Sequence, residues 1–120
     1  MEVGKYQDII KQTAVYPKEI GLLYCTLGLC GESGEVAEKV KKAYRDSHGN
    51  ISTELRTSLI KELGDIVWYV TAAANEIGAP LSEVLQVNYD KLLARRATNT
   101  LHGNGDNREE DPMSLISDEV

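Results

Sequence analysis

The sequence predicts an all-α fold, a four-helix bundle-like arrangement, on three observations. Apolar residues recur at spacings of three and four through most of the chain. No stretch alternates apolar and polar residues in the manner of a half-buried strand. Clusters of Gly, Pro, Asn, Asp and Ser separate four periodic segments.

Each segment has its own justification. Residues 2–15 read as a short amphipathic helix with Tyr6, Ile9, Ile10 and Thr13 on one face. Pro17 suits the first turn of a second helix, and Glu19 adds an anion where the helix dipole favours one. From Ile20, the positions Leu23, Tyr24, Leu27, Cys30 and Ala37 carry that helix to about Arg45. Asp46 to Asn50 (Asp-Ser-His-Gly-Asn) is loop chemistry. Ser52 or Thr53 caps a third helix, whose stripe is Leu59, Leu63, Ile66, Val70, Ala73 and Ile77. Gly78-Ala79-Pro80 stops it, and Ser82 with Glu83 opens a fourth helix running to about Ala97. Residues 1–102 are thus read as one all-α domain and 103–120 as an irregular acidic tail.

Composition narrows the function. At 120 residues, with 42% hydrophobic and 27% charged, the chain fits one domain with a modest core. Phe is absent and Trp occurs once, so the core is expected to be aliphatic. A short chain so poor in aromatics often gains core by pairing with a copy of itself. A net charge of −6, without a basic run, argues against binding a nucleic-acid polymer. A polyphosphate ligand stays open, because metal ions invert the charge of an acidic pocket. Cys25 and Cys30 lie five apart on one helix, so their side chains diverge by about 140° and a disulfide is geometrically poor. Neither has ligands spaced for zinc, and both read as thiols of a reducing compartment. With no signal-peptide pattern and no apolar run long enough to span a bilayer, a soluble cytoplasmic protein without membrane contact is expected.

Four carboxylates carry the chemistry. Glu32, Glu35 and Lys39 fall within about 60° on the second helix, and Glu62 and Asp65 sit three apart on the third. Both sets flank a core-facing stripe, which places them at the seam between the second and third helices. Clustered anions in a partly dry seam are unfavourable unless a cation neutralises them. Oxygen ligands in this number suit Mg²⁺ or Mn²⁺, and the set lacks the His or Cys that zinc would favour. Gly28, Gly31, Gly34 and Gly64 lie in the same two helices, each costing about 1 kcal/mol relative to Ala. Close approach by a helix or a ligand would offset that cost. A carboxylate-bridged di-iron bundle is excluded because no Glu-x-x-His occurs.

Glu32-Ser-Gly-Glu35, then 26 residues, then Glu62-Leu-Gly-Asp65 resembles the paired motif of MazG-like nucleotide pyrophosphohydrolases, of the all-α NTP pyrophosphatase superfamily. The stretch from Lys61 to Tyr69 resembles that family too, as do Asn88 to Arg95 and Gly103 to Arg108. The resemblance implies hydrolysis of a (deoxy)nucleoside triphosphate to monophosphate and pyrophosphate, dependent on Mg²⁺ or Mn²⁺, in a bundle whose site is completed in a homodimer or homotetramer. It implies Glu32, Glu35, Glu62 and Asp65 as metal ligands, with Lys91 and Arg95 on phosphate oxygens and Asn88 on sugar or phosphates. Glu35 and Glu38 are the candidates for proton acceptor, Glu38 because its wheel position borders the acidic stripe. Lys39 is read as a phosphate contact or as a partner of Glu35. Tyr69 and Trp68 are read as base-stacking or core residues, Arg96 as surface, and His48 and His102 receive no role. Clearance of damaged nucleotides, removal of dUTP, and supply of a monophosphate from a purine such as dGTP all fit the same metal site. The competing class is a non-catalytic acidic helical module that binds a nucleotide or partner without turnover.

Overall fold

Turn chemistry sets the breaks between the helices. The computed structural model describes residues 1–98, with helices α1 (Val3–Thr13), α2 (Gly21–Ser47), α3 (Thr53–Glu76) and α4 (Leu81–Thr98), and no strand among them. The chain divides into two units, residues 1–81 and the part from Ser82 onward. The expected boundary at 102/103, the Gly103–Arg108 stretch, His102 and the acidic tail lie outside the described residues.

Pro17 does not begin the second helix. Its ψ of 119° is extended, and it leads a 3-10 turn over Lys18–Ile20 before α2 starts at Gly21. Tyr16 holds the chain there: its ring is buried and its hydroxyl donates to Glu76 Oε2 at 2.7 Å. Gly21 lets α2 come close to the same carboxylate, since a Cβ at this position would overlap Glu76.

At its other end α2 runs two residues beyond the expected Arg45. His48 takes the left-handed conformation at φ 56°, and the Gly49 amide closes on the Ala43 carbonyl at 3.0 Å. Ser52 then caps α3 by accepting from the Leu55 amide at 3.0 Å. Gly78, at φ 76°, ends α3, and the Ala79 amide returns to the Ala74 carbonyl.

In the first unit α2 and α3, joined by a short loop, form a helical hairpin, and α1 packs on α3. Its core differs from the aliphatic one expected. Ile10, Tyr16, Cys25 and Ala72 form the buried cluster, with Tyr6, Trp68 and Tyr69 packed against it. The stripe on α3 is only partly covered: Leu59, Ile66, Val70 and Ala73 are half-buried, whereas Leu63 and Ile77 are 50% and 68% exposed. On α2, Leu23 and Leu27 are 57% and 62% exposed. α4 is described by itself, with Asn88, Lys91 and Arg95 within about 60° of one another around its axis. No helix of the described residues is long and apolar enough to cross a membrane.

Candidate metal centre

The seam between α2 and α3 brings three carboxylates together. Glu32 of α2 and Glu62 and Asp65 of α3 each offer an oxygen, all within 4.8 Å of one another. The three-residue spacing puts Glu62 and Asp65 on one face of α3, and the pairing of α2 with α3 brings Glu32 to it. Glu32 and Glu62 are half-buried and Asp65 is exposed.

So many anions at one place disfavour ionisation. The Glu32 carboxyl is pushed above the usual carboxylate range, first by a hydrogen bond shared with Glu62, then by burial and by the charges of Asp65, Glu62 and Glu35. The group gathers positive charge wherever it can. Lys39 Nζ lies 3.6 Å from Glu62 Oε1, so its partner is across the seam on α3 and not Glu35 on its own helix. A donor set made only of carboxylate oxygens fits a hard divalent cation such as Mg²⁺ or Mn²⁺.

Glu35, one turn beyond Glu32, is exposed and stands outside the three, although its charge reaches Glu32. Glu38 faces the opposite circumstance. Lys41 and Lys42 lie 2.8 and 3.6 Å from its oxygens, and the hydrogen bond from Lys41 holds its carboxyl below the ordinary value. Asn88 is exposed, Lys91 half-buried and Arg95 buried, all on α4 in the second unit.

Aromatic side chains border the acidic group. A cleft of about 280 Å³ is lined by Glu32, Asp65, Trp68 and Tyr69. Trp68 meets Tyr69 edge-on, with ring centroids 5.0 Å apart and planes at 77°. The Trp68 indole N–H donates to Thr13 Oγ1 at 2.9 Å, and the Thr13 hydroxyl donates in turn to the Ile9 carbonyl. Tyr69 lies against Gly28, where a Cβ would overlap its ring. That glycine therefore has the close approach expected of it, whereas Gly31, Gly34 and Gly64 have open space.

Sequence reasoning missed the contribution of α1 and the segment after it. Tyr6, whose hydroxyl pKa is raised first by burial and then by the charge of Asp65, reads from the sequence only as part of an amphipathic stripe. Thr13 stood in the same stripe, and Tyr16 was not singled out at all. The available signal was the run Tyr6, Thr13, Tyr16, in which each side chain couples an apolar body to a hydroxyl.

An all-α hairpin with three clustered carboxylates on its seam and aromatics beside them defines a class of helical proteins whose acidic seam could hold a metal ion. The particular family follows from comparison: the MazG nucleotide pyrophosphohydrolase domain matches residues 22–99, and the chain belongs to that family. The chain is also 46% identical over 114 residues to a protein called Gene 37 protein from Mycobacterium phage L5, a match covering 90% of this chain and 100% of that protein. No solved structure matches.

Proposed function

We propose that the protein hydrolyses a (deoxy)nucleoside triphosphate to the monophosphate and pyrophosphate, with Mg²⁺ or Mn²⁺ held by Glu32, Glu62 and Asp65 and by Glu35 from the next turn. The observation that carries this reading is the convergence of the three carboxylates inside the region matched by the family. Bound there, a divalent cation would offset the charge of the triphosphate and make a water more acidic. The chain's own residues do the rest. Glu35, exposed beside the group, accepts the water's proton; Glu38 is the weaker base, because Lys41 and Lys42 hold its proton affinity down. Lys39 meets phosphate oxygens, and Tyr69, with Trp68, supplies a face for the base. Asn88, Lys91 and Arg95 share a face of α4 suited to phosphate and sugar contacts.

The exposed leucines of α2 and α3 support a homodimer or homotetramer, since burying each contributes about 1.5–3 kcal/mol. The net negative charge supports a free nucleotide over a nucleic-acid polymer, and a reducing cytoplasm suits the free Cys25 and Cys30. A purine nucleotide such as dGTP is one candidate substrate, alongside dUTP and damaged nucleotides, since all of them fit the same metal site. The test is pyrophosphate release from the eight common ribo- and deoxyribonucleoside triphosphates with Mg²⁺ or Mn²⁺. Release from at least one, lost in Glu62→Gln, is expected. Absence of release from all of them overturns the proposal in favour of a binding module without turnover.

A further inference from the structure

A second cleft, larger than the aromatic one, opens along the same seam. Its volume is about 470 Å³, and its walls are Lys39, Lys42 and Ala43 of α2, the turn at Asn50 and Ile51, and Leu55 of α3. Lys39 belongs to both places, since it also reaches across to Glu62. Moving along α2 from Glu32, Lys39 stands about 10 Å on and Lys42 about 15 Å on, at 1.5 Å per residue. Trp68 and Tyr69 lie the other way, past Asp65 on α3. The acidic group therefore sits between two clefts of different chemistry.

At one end are the faces of a Trp and a Tyr with no cation in the lining. The Trp68 N–H is already given to Thr13, so beyond the Glu32 and Asp65 carboxylates this end offers aromatic surface. At the other end are two lysines with no aromatic in the lining; Lys42 also lies 3.6 Å from Glu38, which has the closer Lys41 at 2.8 Å as its main partner. The anion in that cleft, Asp46, is matched by Arg45, which donates to both its oxygens at 2.7 Å. The apolar floor of Ala43, Ile51 and Leu55 suits the lysine stems, which lie along such surface while their ammonium groups turn to charge.

We infer that the seam has a direction: the base lies at Trp68 and Tyr69, and the cleft of Lys39 and Lys42 receives the terminal phosphates, later the pyrophosphate. This rests on the proposed reaction and adds to it an orientation and a role for Lys42. Lys39, 3.6 Å from Glu62 in the ion-free protein, would be released toward phosphate where a divalent cation held by the carboxylates neutralised Glu62 in its place.

The test is equilibrium binding by calorimetry on the whole protein with Mn²⁺, using inorganic pyrophosphate and the four common deoxynucleoside monophosphates as probes. Lys39→Met with Lys42→Met is expected to weaken pyrophosphate about tenfold or more and to leave monophosphate binding within about twofold. Trp68→Ala is expected to do the reverse. Because Trp68 packs on the core, Trp68→Phe accompanies it and is expected to give a smaller loss in the same direction. Losses that fall equally on both probes, or the opposite pattern, overturn the orientation. So does hydrolysis of a triphosphate by a protein whose pyrophosphate affinity ignores both lysines, and in that case the reaction itself stands. No hydrolysis and no binding of either probe overturns both.

Discussion

Carboxylates of α2 meet two opposite fates. Glu38 and Asp46 each lie beside a cation of their own helix, Lys41 and Arg45, and are held below their ordinary pKa values mainly by those hydrogen bonds. Glu32 lies against Glu62 and Asp65, and its carboxyl is pushed up. The helix supplies acids to both places; the difference lies in whether it also supplies the counter-charge. A carboxylate with a local lysine is finished on its own. One that faces other carboxylates across a seam stores an unmet demand for a cation, and that demand is what a divalent ion can answer.

The largest expected effect breaks the contrast at the unmet end. Glu62→Gln should lower pyrophosphate release by more than about 100-fold, since even residues behind metal ligands are worth about 10–100-fold. Glu38→Gln should leave it within a few-fold, because that charge is already balanced in place. Equal losses from the two substitutions would show that neutralised and un-neutralised acids are not functionally different here.

Next in size is the response to the ion itself. Mn²⁺ at about 100 times its dissociation constant should stabilise the protein by about 2.7 kcal/mol, read as a rise in melting temperature. Glu32→Gln should lose most of that rise, and a full rise in this variant would mean that the ion binds elsewhere.

The glycines of α2 sharpen the same point with space in place of charge. Gly28→Ala should destabilise the protein by about 1–2 kcal/mol, because its Cβ meets the Tyr69 ring. Gly31→Ala meets nothing within the chain and should be neutral or stabilising by up to about 1 kcal/mol. Denaturant melts of the two variants separate these outcomes. A loss at Gly31 equal to that at Gly28 would mean that another surface approaches there.

These contrasts also mark what the sequence made legible. The helices, the Ser52 cap and the stop at Gly78 could be read because each depends on local periodicity or turn chemistry. The convergence of Glu32 with Glu62 and Asp65 was legible because both pairs flank an apolar stripe. Glu35 shows the limit: a helical wheel places it within about 60° of Glu32, but whether it joins the group depends on how α2 is rotated against α3. Thr13 and Tyr16 were illegible as neighbours of the site because their partners, Trp68 and Glu76, are 55 and 60 residues away. The aromatic share of the core was misjudged because composition counts residues and cannot show that Leu22, Leu23 and Leu27 of α2 stay exposed.

The smallest effect is the pH dependence without divalent ions, and it should differ in sign between the two groups of acids. Glu32 has a folded value above its ordinary 4.5, so the folded state holds its proton more tightly than the unfolded chain does. Its contribution to stability is therefore complete below about pH 4.5 and is lost as pH rises through the raised value. Glu38 and Asp46 have folded values below 4.5 and 3.8, so their contribution is present above those values and is lost as pH falls through the lowered ones. Melting temperatures of ion-free protein from about pH 3 to about pH 7 should show both slopes. Glu32→Gln should flatten only the fall toward neutral pH, and Glu38→Gln should weaken only the fall toward acid. If Glu32→Gln instead steepened the neutral side, its charge would be stabilising in the free protein, and the acidic group would not be waiting for a cation.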